Sequence, residues 1–471
     1  MTSDSSTLLG VLAYYDSWLA FRQRYLRVPG LQAAVLLDGE VAMSRAYGVA
    51  DLATRTPLTT DHLFHVASHS KTFTATVVHQ LAEAGRLRLD DPVGQWLPDL
   101  ADAPVATVTL RALLCHGGGV VRDGRDGDFW ALHRAFPDAA ALMAVARDEG
   151  AVLPANERFK YSNIGYSLLG QVIEAVTGRA YAEVVREQVI DRLRLTKTAP
   201  DHDAGLGEYA TGHSALAYAD ERVAVEHVAT GAMAAATGFV STAEELVRYA
   251  AAHLPGDDRL LGDDAKRLMQ RTEWRVDGQG GVAEPLAEYT LGLMVSHVGS
   301  RRLLGHGGGW PGHITRTLFD VEAGVAVSVM TNAIDGPAEE LANGLFRLVD
   351  LAVDRDAPRS GGDLSRFTGR FANVWGVTDV ADLGGRLVWL NPTSDDAWQA
   401  PLDLVVEGED RLRLCGGNGY GSHGEPLEYV VTDGRVTAIR GSSGMTWHPI
   451  EEVSSAAERG EPVRLGSPLV G

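Results

Sequence analysis

Strand-forming segments occur near the start of the chain and again after residue 288, and a long helical region separates them. Residues 31–48 contain two apolar runs on either side of Asp38-Gly39, a dipeptide that suits the tight primed turn of a β-hairpin. Further strand patterns occur at 289–295, 302–304, 313–319 and 325–331. Because these strands are far apart in sequence, we predict an α+β fold in which distant segments form one antiparallel sheet beside a helical lobe.

Helical periodicity accounts for most of the chain between these strands. Apolar residues recur at helical spacing, and Gly, Pro or a polar turn follows each segment. The helices predicted on this basis, including one before the first strand and one after the last, cover residues 8–26, 72–84, 110–114, 139–146, 167–176, 181–193, 243–253 and 338–353. We take the last of these helices as the end of a first domain at residues 1–354.

The chain changes character after this domain. Residues 354–362 have the Gly, Pro and Ser content of a linker. Short strand patterns separated by Gly-Gly and Asp-Gly turns follow, and they predict a small all-β barrel over residues 363–452. The polar tail at 453–471 is expected to be loosely ordered.

Composition disfavours several classes of partner. The 471 residues carry a formal net charge of −20, which disfavours nucleic acids and anionic membrane surfaces because both attract clustered Lys and Arg. The N-terminal segment lacks the basic start and apolar core of a signal peptide, and no stretch approaches the ~18 consecutive apolar residues of a membrane span. With only Cys115 and Cys415, no disulfide framework is expected. Together these observations predict a cytoplasmic protein.

The first candidate catalytic motif lies at the start of the helix predicted at 72–84. Ser68 and Lys71 are spaced i and i+3, so a hydroxyl and an amine lie on one helix face. A lysine desolvated in a cleft can activate a serine that is otherwise a weak nucleophile. Ser70 points away from Lys71, so Ser68 is the stronger candidate. Alone, the spacing also fits a chance pairing of a cap residue with a helix former.

Two further motifs carry groups suited to the same chemistry. Tyr161 and Asn163 lie two residues apart on a predicted loop, so in extended backbone both side chains enter one cleft. The phenol could relay protons, and the amide could hold a lysine or a substrate carbonyl. His306 lies in a glycine-rich segment predicted between two strands, where another molecule can approach the backbone. Each motif alone also fits a structural role, whereas the three in this order predict a catalytic site.

The chain resembles the serine β-lactamase and penicillin-binding protein superfamily, in its class C-like branch, through three motifs in order: Ser68-x-x-Lys71, Tyr161-x-Asn163 and His306-x-Gly308. The resemblance extends over most of residues 20–350. Residues 110–117 resemble the Leu-Leu-x-His segment of that family, and residues 238–246 resemble its Gly-x-x-Ser-Thr-x-x-Asp-Leu helix start. The resemblance implies a β-lactamase/transpeptidase-like fold. The region 363–452 resembles the lipocalin-like barrel that follows the catalytic domain in some D-amino-acid peptidases.

The resemblance also implies a covalent mechanism. Ser68 would attack an acyl carbon, Lys71 and Tyr161 would share the proton transfers, and Asn163 would orient them. Either Lys71 or Tyr161 is the acylation base, and the sequence leaves the choice open. The backbone N–H groups of Ser68 and Gly309 would form the oxyanion hole.

Substrate contacts are expected around the third motif and in the barrel. His306, to which the resemblance gives a catalytic position, replaces the more usual lysine. This favours an esterase or peptidase over a true β-lactamase, because a neutral imidazole holds a carboxylate less firmly than an ammonium does. Gly307, Gly308 and Trp310 are predicted to bind substrate. Arg440 of the barrel is a candidate carboxylate ligand, and a solvated strand arginine is the alternative.

We therefore predict a serine hydrolase that forms an acyl-Ser68 intermediate on a small peptide, a D-amino-acid amide or an ester. A trans-acting thioesterase or peptide cyclase of non-ribosomal peptide biosynthesis is one alternative, and its partner would be a peptidyl thioester bound to a carrier protein. A catalytically silent binding or sensor module is the other. We expect no cofactor, and no metal because the pair His62 and His65 lacks a third ligand at metal spacing.

Overall fold

The computed structural model describes residues 5–217, 219–277, 285–394, 396–398, 401–416, 421–441 and 443–458. The chain divides into two compact units. One comprises residues 27–342, and the other combines the first helix with the residues from 343 onward. The domain boundaries predicted from the sequence stay a prediction.

The described helices include the predicted ones, with some shifted ends, and also helices at 93–96, 234–237, 263–269 and 450–458 that the sequence did not predict. They are α1 (Ser5–Tyr25), α2 (Ser70–Glu83), α3 (Val93–Trp96), α4 (Leu110–Leu114), α5 (Ala139–Asp148), α6 (Asn163–Thr177), α7 (Tyr181–Val185), α8 (Asp191–Leu193), α9 (Ala234–Thr237), α10 (Ala243–Ala251), α11 (Asp263–Met269), α12 (Ala338–Val353) and α13 (Ile450–Glu458). Helix α6 begins earlier than predicted because Ser162 caps it, its Oγ accepting a hydrogen bond from the N–H of Gly165 at 2.8 Å. A π-helical turn at 186–190 joins α7 to α8.

The first unit contains one large antiparallel sheet. The described strands of this unit are β1 (Gly30–Leu37), β2 (Glu40–Gly48), β3 (Phe64–His65), β4 (Gly212–His213), β5 (Ala224–Val225), β6 (Val240–Ser241), β7 (Trp274–Asp277), β8 (Pro285–Tyr289), β9 (Met294–Val298), β10 (Arg301–Trp310), β11 (His313–Asp320) and β12 (Val325–Thr331). The sheet order is β2-β1-β12-β11-β10-β9-β8-β7. The first hairpin pairs with the last strand of the unit, so distant segments form one antiparallel sheet, as the sequence predicted.

Two details of the sheet differ from the prediction. Residues 289–295, predicted as one strand, contribute to β8 and β9, because Gly292 adopts a φ of 125° in the turn between them. The glycine-rich segment, predicted between two strands, is itself the second half of β10. The turn follows it at Pro311 and Gly312, where a φ of 88° favours glycine. The third motif therefore lies in a strand, where β11 pairs along it and the β9 pairing ends just before it, at Gly305.

The helical lobe is organised around α2. Most side chains of α2 are buried, including its polar ones, and the helix packs against α6 and α9. Helix α10 covers the sheet through contacts with β1, β11 and β12. The lobe and the sheet meet at the N-terminal end of α2, where the turn before it contacts β10. The predicted α+β class is confirmed.

The second unit contains a closed antiparallel barrel. Its described strands, in barrel order, are β13 (Gly369–Asn373), β14 (Gly376–Asp382), β15 (Leu387–Leu390), β16 (Leu402–Gly408), β17 (Arg411–Cys415), β18 (Pro426–Thr432), β19 (Arg435–Gly441) and β20 (Met445–Pro449). Apolar side chains, including Phe371, Tyr429 and Trp447, fill its interior. The predicted small barrel is therefore confirmed. Helix α13 occupies the start of the predicted tail, and residues 459–471 lie outside the described residues.

Helix α1 is anchored to this barrel by buried polar contacts. Tyr14 donates its hydroxyl proton to Asp379 at 2.8 Å, and Arg370 forms a bidentate pair with the same carboxylate at 2.8 Å for both bonds. Arg22 is fully buried and donates to backbone carbonyls in the loop after β15, at 3.0 Å to Thr393. These contacts give Tyr14 and Arg22 hydrogen-bond partners in the barrel unit and so fix the helix on the barrel.

Candidate active site

Ser68 lies in a short 3₁₀ turn, residues 67–69, immediately before α2. The preceding residue, Ala67, has a φ of 45°, a left-handed conformation that L-residues rarely adopt and that stores local strain. Ser70 is held inside the protein: its hydroxyl donates to the Ala67 carbonyl at 2.5 Å and accepts from the N–H of Phe239 at 3.0 Å. Of the two serines next to Lys71, Ser68 is therefore the one that opens to the pocket.

The predicted first and second motifs converge on Ser68. The hydroxyl oxygen of Ser68 lies 3.1 Å from Lys71 Nζ and 2.9 Å from the Tyr161 hydroxyl. Lys71 Nζ also donates to Asn163 Oδ1 and to the Ala236 carbonyl, at 2.8 Å each. Because α2 carries the lysine and the N-terminus of α6 carries the amide, the packing of these two helices creates the arrangement.

Burial sets the protonation preferences of the two candidate bases in opposite ways. Lys71 has no exposed surface, and desolvation lowers its pKa well below the usual value for lysine, although the negative charge of Asp123 opposes the shift. Desolvation raises the pKa of Tyr161 instead, with the hydrogen bond to Ser68 opposing. The site therefore favours a neutral amine at Lys71 and a protonated phenol at Tyr161.

Asp123 orients the amide of Asn163. Asn163 Nδ2 donates to Asp123 Oδ1 at 2.7 Å, which leaves its Oδ1 facing Lys71. Trp130 Nε1 donates to the same oxygen at 2.9 Å, and Arg122 Nε pairs with the other carboxylate oxygen at 3.2 Å. The carboxylate is thus held by three donors while it fixes the amide.

His306 has both ring nitrogens engaged within the protein. Its Nδ1 lies 2.6 Å from the Gly307 carbonyl, which can only accept, so Nδ1 carries the proton. Its Nε2 accepts from the Tyr289 hydroxyl at 3.0 Å. Burial lowers the pKa of His306 well below its usual value. A neutral imidazole held on both sides cannot also bind a substrate carboxylate, so a role in substrate binding would pass through neighbouring groups.

His116 packs under the tyrosines of the site. Its Nδ1 accepts from the N–H of Ser162 at 3.1 Å, and its ring lies 4.2 Å from that of Tyr161 and 4.7 Å from that of Tyr289. The neighbouring Cys115 has a different partner, because its sulfur accepts a hydrogen bond from Trp274 Nε1 at 3.3 Å. The two residues therefore do not form a cysteine–histidine pair.

The glycines of β10 allow the sheet to approach the Ser68 turn. A Cβ on Gly308 would lie 2.1 Å from the Val66 carbonyl oxygen, a separation that no side chain permits. Gly307 and Gly309 line the pocket, whereas Gly308 and Trp310 are buried. The substrate-binding role of these four residues, and the oxyanion role of the Ser68 and Gly309 backbone, stay predictions.

Trp310 connects the site to a group of imidazoles. Its ring stacks on His65 at 4.4 Å and on Phe136 at 5.6 Å. His65 in turn has three imidazole neighbours with ring centroids 5.2 to 5.8 Å away. We call the four residues the histidine cluster: His65, His202, His227 and His313.

The pocket at Ser68 has a volume of about 570 Å³ and contains charge on both walls. Arg122 and Asp123 line the wall formed by the helical lobe, and Arg316 lines the wall formed by the sheet. Arg440, the predicted carboxylate ligand, is an exposed residue of β19 opposite Thr446 of β20, and its role stays a prediction.

The described residues contain neither a cluster suited to a metal ion nor a helix suited to cross a membrane. No group of three or more His, Cys, Asp or Glu side chains in that part of the chain is arranged to hold a metal ion. Within the same residues, none of the helices combines the length and apolar composition that crossing a bilayer requires.

Sequence reasoning missed Asp123, Tyr289 and Arg316. Asp123 and its partner Asn163 are 40 residues apart in sequence, and Tyr289 and its partner His306 are 17 residues apart. A local sequence motif therefore does not reveal either pair. Arg316 has a better signal, because it lies one strand after the glycine-rich segment in a predicted hairpin. When a cationic residue is paired with a glycine on the neighbouring strand, its side chain can extend across that glycine, because the glycine has no side chain of its own.

Comparison with known proteins gives consistent matches. A family model described as Beta-lactamase matches residues 20–351. Penicillin-binding protein 4 of Amycolatopsis lactamdurans is 34% identical over 260 residues, which cover 52% of this chain and 65% of that protein. D-aminopeptidase of Brucella anthropi is 26% identical over 434 residues, which cover 88% of this chain and 72% of that protein. The chain thus spans less than two thirds of the first relative.

A solved structure matches along nearly the whole chain. The crystal structure of SurE with D-Leu superposes with a TM-score of 0.58 and 26% sequence identity. The match covers 95% of this chain and 100% of that one, so it includes the barrel as well as the region around Ser68.

Proposed function

Because this chain belongs to the Beta-lactamase family, whose model matches residues 20–351, we propose that it is a serine hydrolase that forms an acyl-enzyme at Ser68. The observation that carries the proposal is the position of the Ser68 hydroxyl between Lys71 Nζ and the Tyr161 hydroxyl, at 3.1 and 2.9 Å. A nucleophile and its base within hydrogen-bond reach, with a third group orienting the base, is the arrangement that covalent catalysis needs.

Lys71 is the acylation base in this proposal. As a neutral amine it donates its two protons to Asn163 Oδ1 and the Ala236 carbonyl, which directs the nitrogen lone pair at Ser68. The amine takes the hydroxyl proton while Ser68 Oγ bonds to the substrate carbonyl carbon. The Ser68 and Gly309 N–H groups stabilise the resulting oxyanion.

Tyr161 completes the proton path. When the tetrahedral intermediate collapses, the bond to the leaving amine breaks and the phenol gives that amine its proton. The proton that Lys71 took from Ser68 restores the phenol, so the acyl-enzyme is left with a neutral amine and a protonated phenol; both groups flank Ser68 Oγ, at 3.1 and 2.9 Å. Water then attacks the ester, its proton passes to the same groups, and Ser68 is restored with release of the acid.

The substrates we propose are amides, esters and short peptides of D-amino acids. Two relatives support this class: the D-aminopeptidase, which aligns with 88% of the chain, and SurE, whose structure with D-Leu aligns with 95% of it. The pocket, at about 570 Å³, has room for a molecule of this size.

Intact-mass labelling with a fluorophosphonate tests the nucleophile. The wild-type protein should gain one adduct, and the Ser68→Ala variant should gain none. An adduct that persists in Ser68→Ala, or a wild-type protein that is never labelled, would overturn the proposed nucleophile and favour the silent binding module.

The two enantiomers of phenylalanine amide test the proposed class of substrates. D-Phenylalanine amide should be hydrolysed by the wild type and not by Ser68→Ala, and L-phenylalanine amide serves as the matched control. Equal rates for the two enantiomers would refute the D-specificity. A peptidyl thioester that ends in a D-residue separates hydrolysis from cyclisation, since a macrocyclic product in place of the linear acid would contradict the hydrolase.

A further inference from the structure

We propose that His116 positions Tyr161 for proton transfer to the leaving group, by accepting hydrogen bonds from the backbone on both sides of that tyrosine. The inference rests on the proposed function, because it concerns the proton that Tyr161 gives to the leaving amine. His116 acts through Tyr161 and takes up no proton itself, so it is a positioning residue.

His116 accepts the two backbone N–H groups that flank Tyr161. Its carbonyl oxygen accepts from the Lys160 N–H at 2.8 Å, and its ring nitrogen Nδ1 accepts from the Ser162 N–H at 3.1 Å. N–H groups two residues apart on an extended segment point to the same side, and a neighbouring strand would meet them with carbonyls of two different residues. Here one residue supplies both acceptors, and its side chain takes the place of the second carbonyl.

The backbone of His116 is held in a left-handed conformation. Its φ is 61°, a value that residues with a side chain rarely adopt. The same turn continues to Gly117, whose carbonyl accepts from the N–H of Asn156 at 2.7 Å. The turn therefore lies along the loop that leads to Tyr161. A strained residue that persists beside an active site supports a role in holding that site, because its surroundings must offset the strain.

The acceptor role requires a neutral imidazole with its proton on Nε2. The Ser162 N–H can only donate, so Nδ1 carries no proton. His116 is buried, and burial lowers its pKa well below the usual value for histidine. Nε2 has no hydrogen-bond partner among the residues that the structure describes. The imidazole therefore stays an acceptor for Ser162 near neutral pH, and it belongs to no hydrogen-bonded chain that could relay a proton.

The imidazole ring also supports the phenol of Tyr161. The two ring centroids lie 4.2 Å apart, and the planes are tilted by 35°. The rings of Tyr166 and Tyr289 lie 5.1 and 4.7 Å from the same imidazole, so it has aromatic contacts with three tyrosines. The Tyr161 hydroxyl reaches Ser68 Oγ at 2.9 Å. The backbone bonds thus fix where the Tyr161 side chain begins, and the ring contact supports its direction toward Ser68.

Other groups hold Asn163, the second residue of the same motif. Its backbone N–H donates to the Arg122 carbonyl at 2.9 Å, and its Nδ2 donates to Asp123 Oδ1 at 2.7 Å. Loss of the acceptor on His116 should therefore disturb Tyr161 more than Asn163. Activation of the nucleophile should persist, while protonation of the leaving group should suffer.

Two substrates with the same acyl group separate these two steps. D-Phenylalanine amide needs a proton from Tyr161 on its leaving amine, whereas the p-nitrophenyl ester of D-phenylalanine loses nitrophenolate without one. His116→Leu should lower kcat/KM for the amide by about 10- to 100-fold, as expected when a buried donor loses its partner. The same variant should leave kcat/KM for the ester nearly unchanged.

A series of variants at position 116 separates the acceptor from the shape of the side chain. His116→Asn has nearly the shape of His116→Leu but carries an acceptor, so it should recover a large part of the amide rate. His116→Phe keeps an aromatic ring without an acceptor and should be as poor as His116→Leu. A packing role predicts the reverse order, with His116→Phe as the best variant. His116→Gly suits a φ of 61° but lacks the acceptor, so it should also be poor.

A control at a second buried histidine tests whether the effect is specific. His79→Leu removes an imidazole from the interior of α2 and should keep the wild-type ratio of amide to ester rates. Where His116→Leu and His116→Phe do not fold, the comparison of His116→Asn with His116→Gly decides the same question, because both residues tolerate left-handed backbone.

The outcomes distinguish this inference from the proposed function. A His116→Phe or His116→Gly variant as active on the amide as His116→Asn would overturn the positioning role. Equal losses on amide and ester in His116→Leu, or an altered ratio in His79→Leu, would also overturn it, and the proposed function would stand. A wild type that is not labelled by the fluorophosphonate and cleaves neither substrate would overturn the proposed function instead.

Discussion

Replacement of Asp123 by Asn should impair catalysis without a change in the nucleophile. Asp123 Oδ1 accepts from Asn163 Nδ2 at 2.7 Å, and this bond determines which end of the Asn163 amide faces Lys71. An asparagine at 123 presents either an oxygen with less charge or an NH₂ group that repels Asn163 Nδ2. In the second orientation the Asn163 amide turns, and its NH₂ then faces the protons of Lys71.

The magnitude follows from the bond that is lost. A hydrogen bond to a charged group contributes about 1.5–3 kcal/mol, which corresponds to roughly 10- to 150-fold in rate. Loss of the negative charge has a second effect with a definite sign. Because Asp123 raises the pKa of Lys71, its removal lowers that pKa further and extends the neutral amine to lower pH. The acid limb of kcat/KM should therefore move to lower pH.

The assay is the pH profile of kcat/KM for D-phenylalanine amide, together with the rate of fluorophosphonate labelling. Asp126→Asn is the matched control, since Asp126 is exposed in the same loop and pairs with Arg134 at 2.7 Å. Kinetics of Asp123→Asn that equal those of the control, with the acid limb in place, would refute the orienting role of Asp123.

Other perturbations have equally direct outcomes. Gly308→Ala should lower kcat/KM by about 10²-fold or more, as loss of an oxyanion donor does, because the new Cβ would force β10 away from Val66; an unchanged rate would contradict the tight approach. Burial lowers the pKa of His313 to about 3 and of His227 to about 4. In the unfolded chain the same imidazoles have a pKa near 6.5, so below about pH 6.5 the unfolded chain binds more protons than the folded one. The free energy of unfolding in urea should therefore fall from pH 7 to pH 5 by about 2 kcal/mol for each of His227 and His313, and equal values at both pH values would refute this. Asp379→Asn should destabilise the barrel by about 3 kcal/mol in thermal unfolding, since it leaves Arg370 buried and unpaired, whereas an unchanged Tm would show that the pair contributes nothing.

The parts of the site that the sequence predicts are those with local spacing. Ser68 and Lys71 are one helical turn apart, and Tyr161 and Asn163 alternate along extended backbone, so their common direction follows from backbone geometry. The hairpin at 31–48 is predictable for the same reason, because its turn chemistry is local.

The parts that the sequence does not predict depend on tertiary contacts. The glycines after Leu304 have low strand propensity, yet pairing with β11 along residues 304–310 imposes a strand on them, whereas β9 pairs only as far as Gly305. Asp123 acquires its role only when its loop meets the start of α6. Arg316 becomes buried only after β9, β10 and β11 have assembled into the sheet.

The position of α1 has a consequence for the synthesis of the chain. The hydroxyl of Tyr14 binds a carboxylate 365 residues further along, so the first helix leaves the ribosome long before its partner exists. At about 5–20 residues per second, the interval is roughly 20–70 s. During that time the catalytic region can fold while α1 waits with its buried face uncovered. The helix and the barrel therefore complete the molecule last, and a nascent chain that stalls before the barrel would expose Trp18 and its apolar neighbours to chaperones.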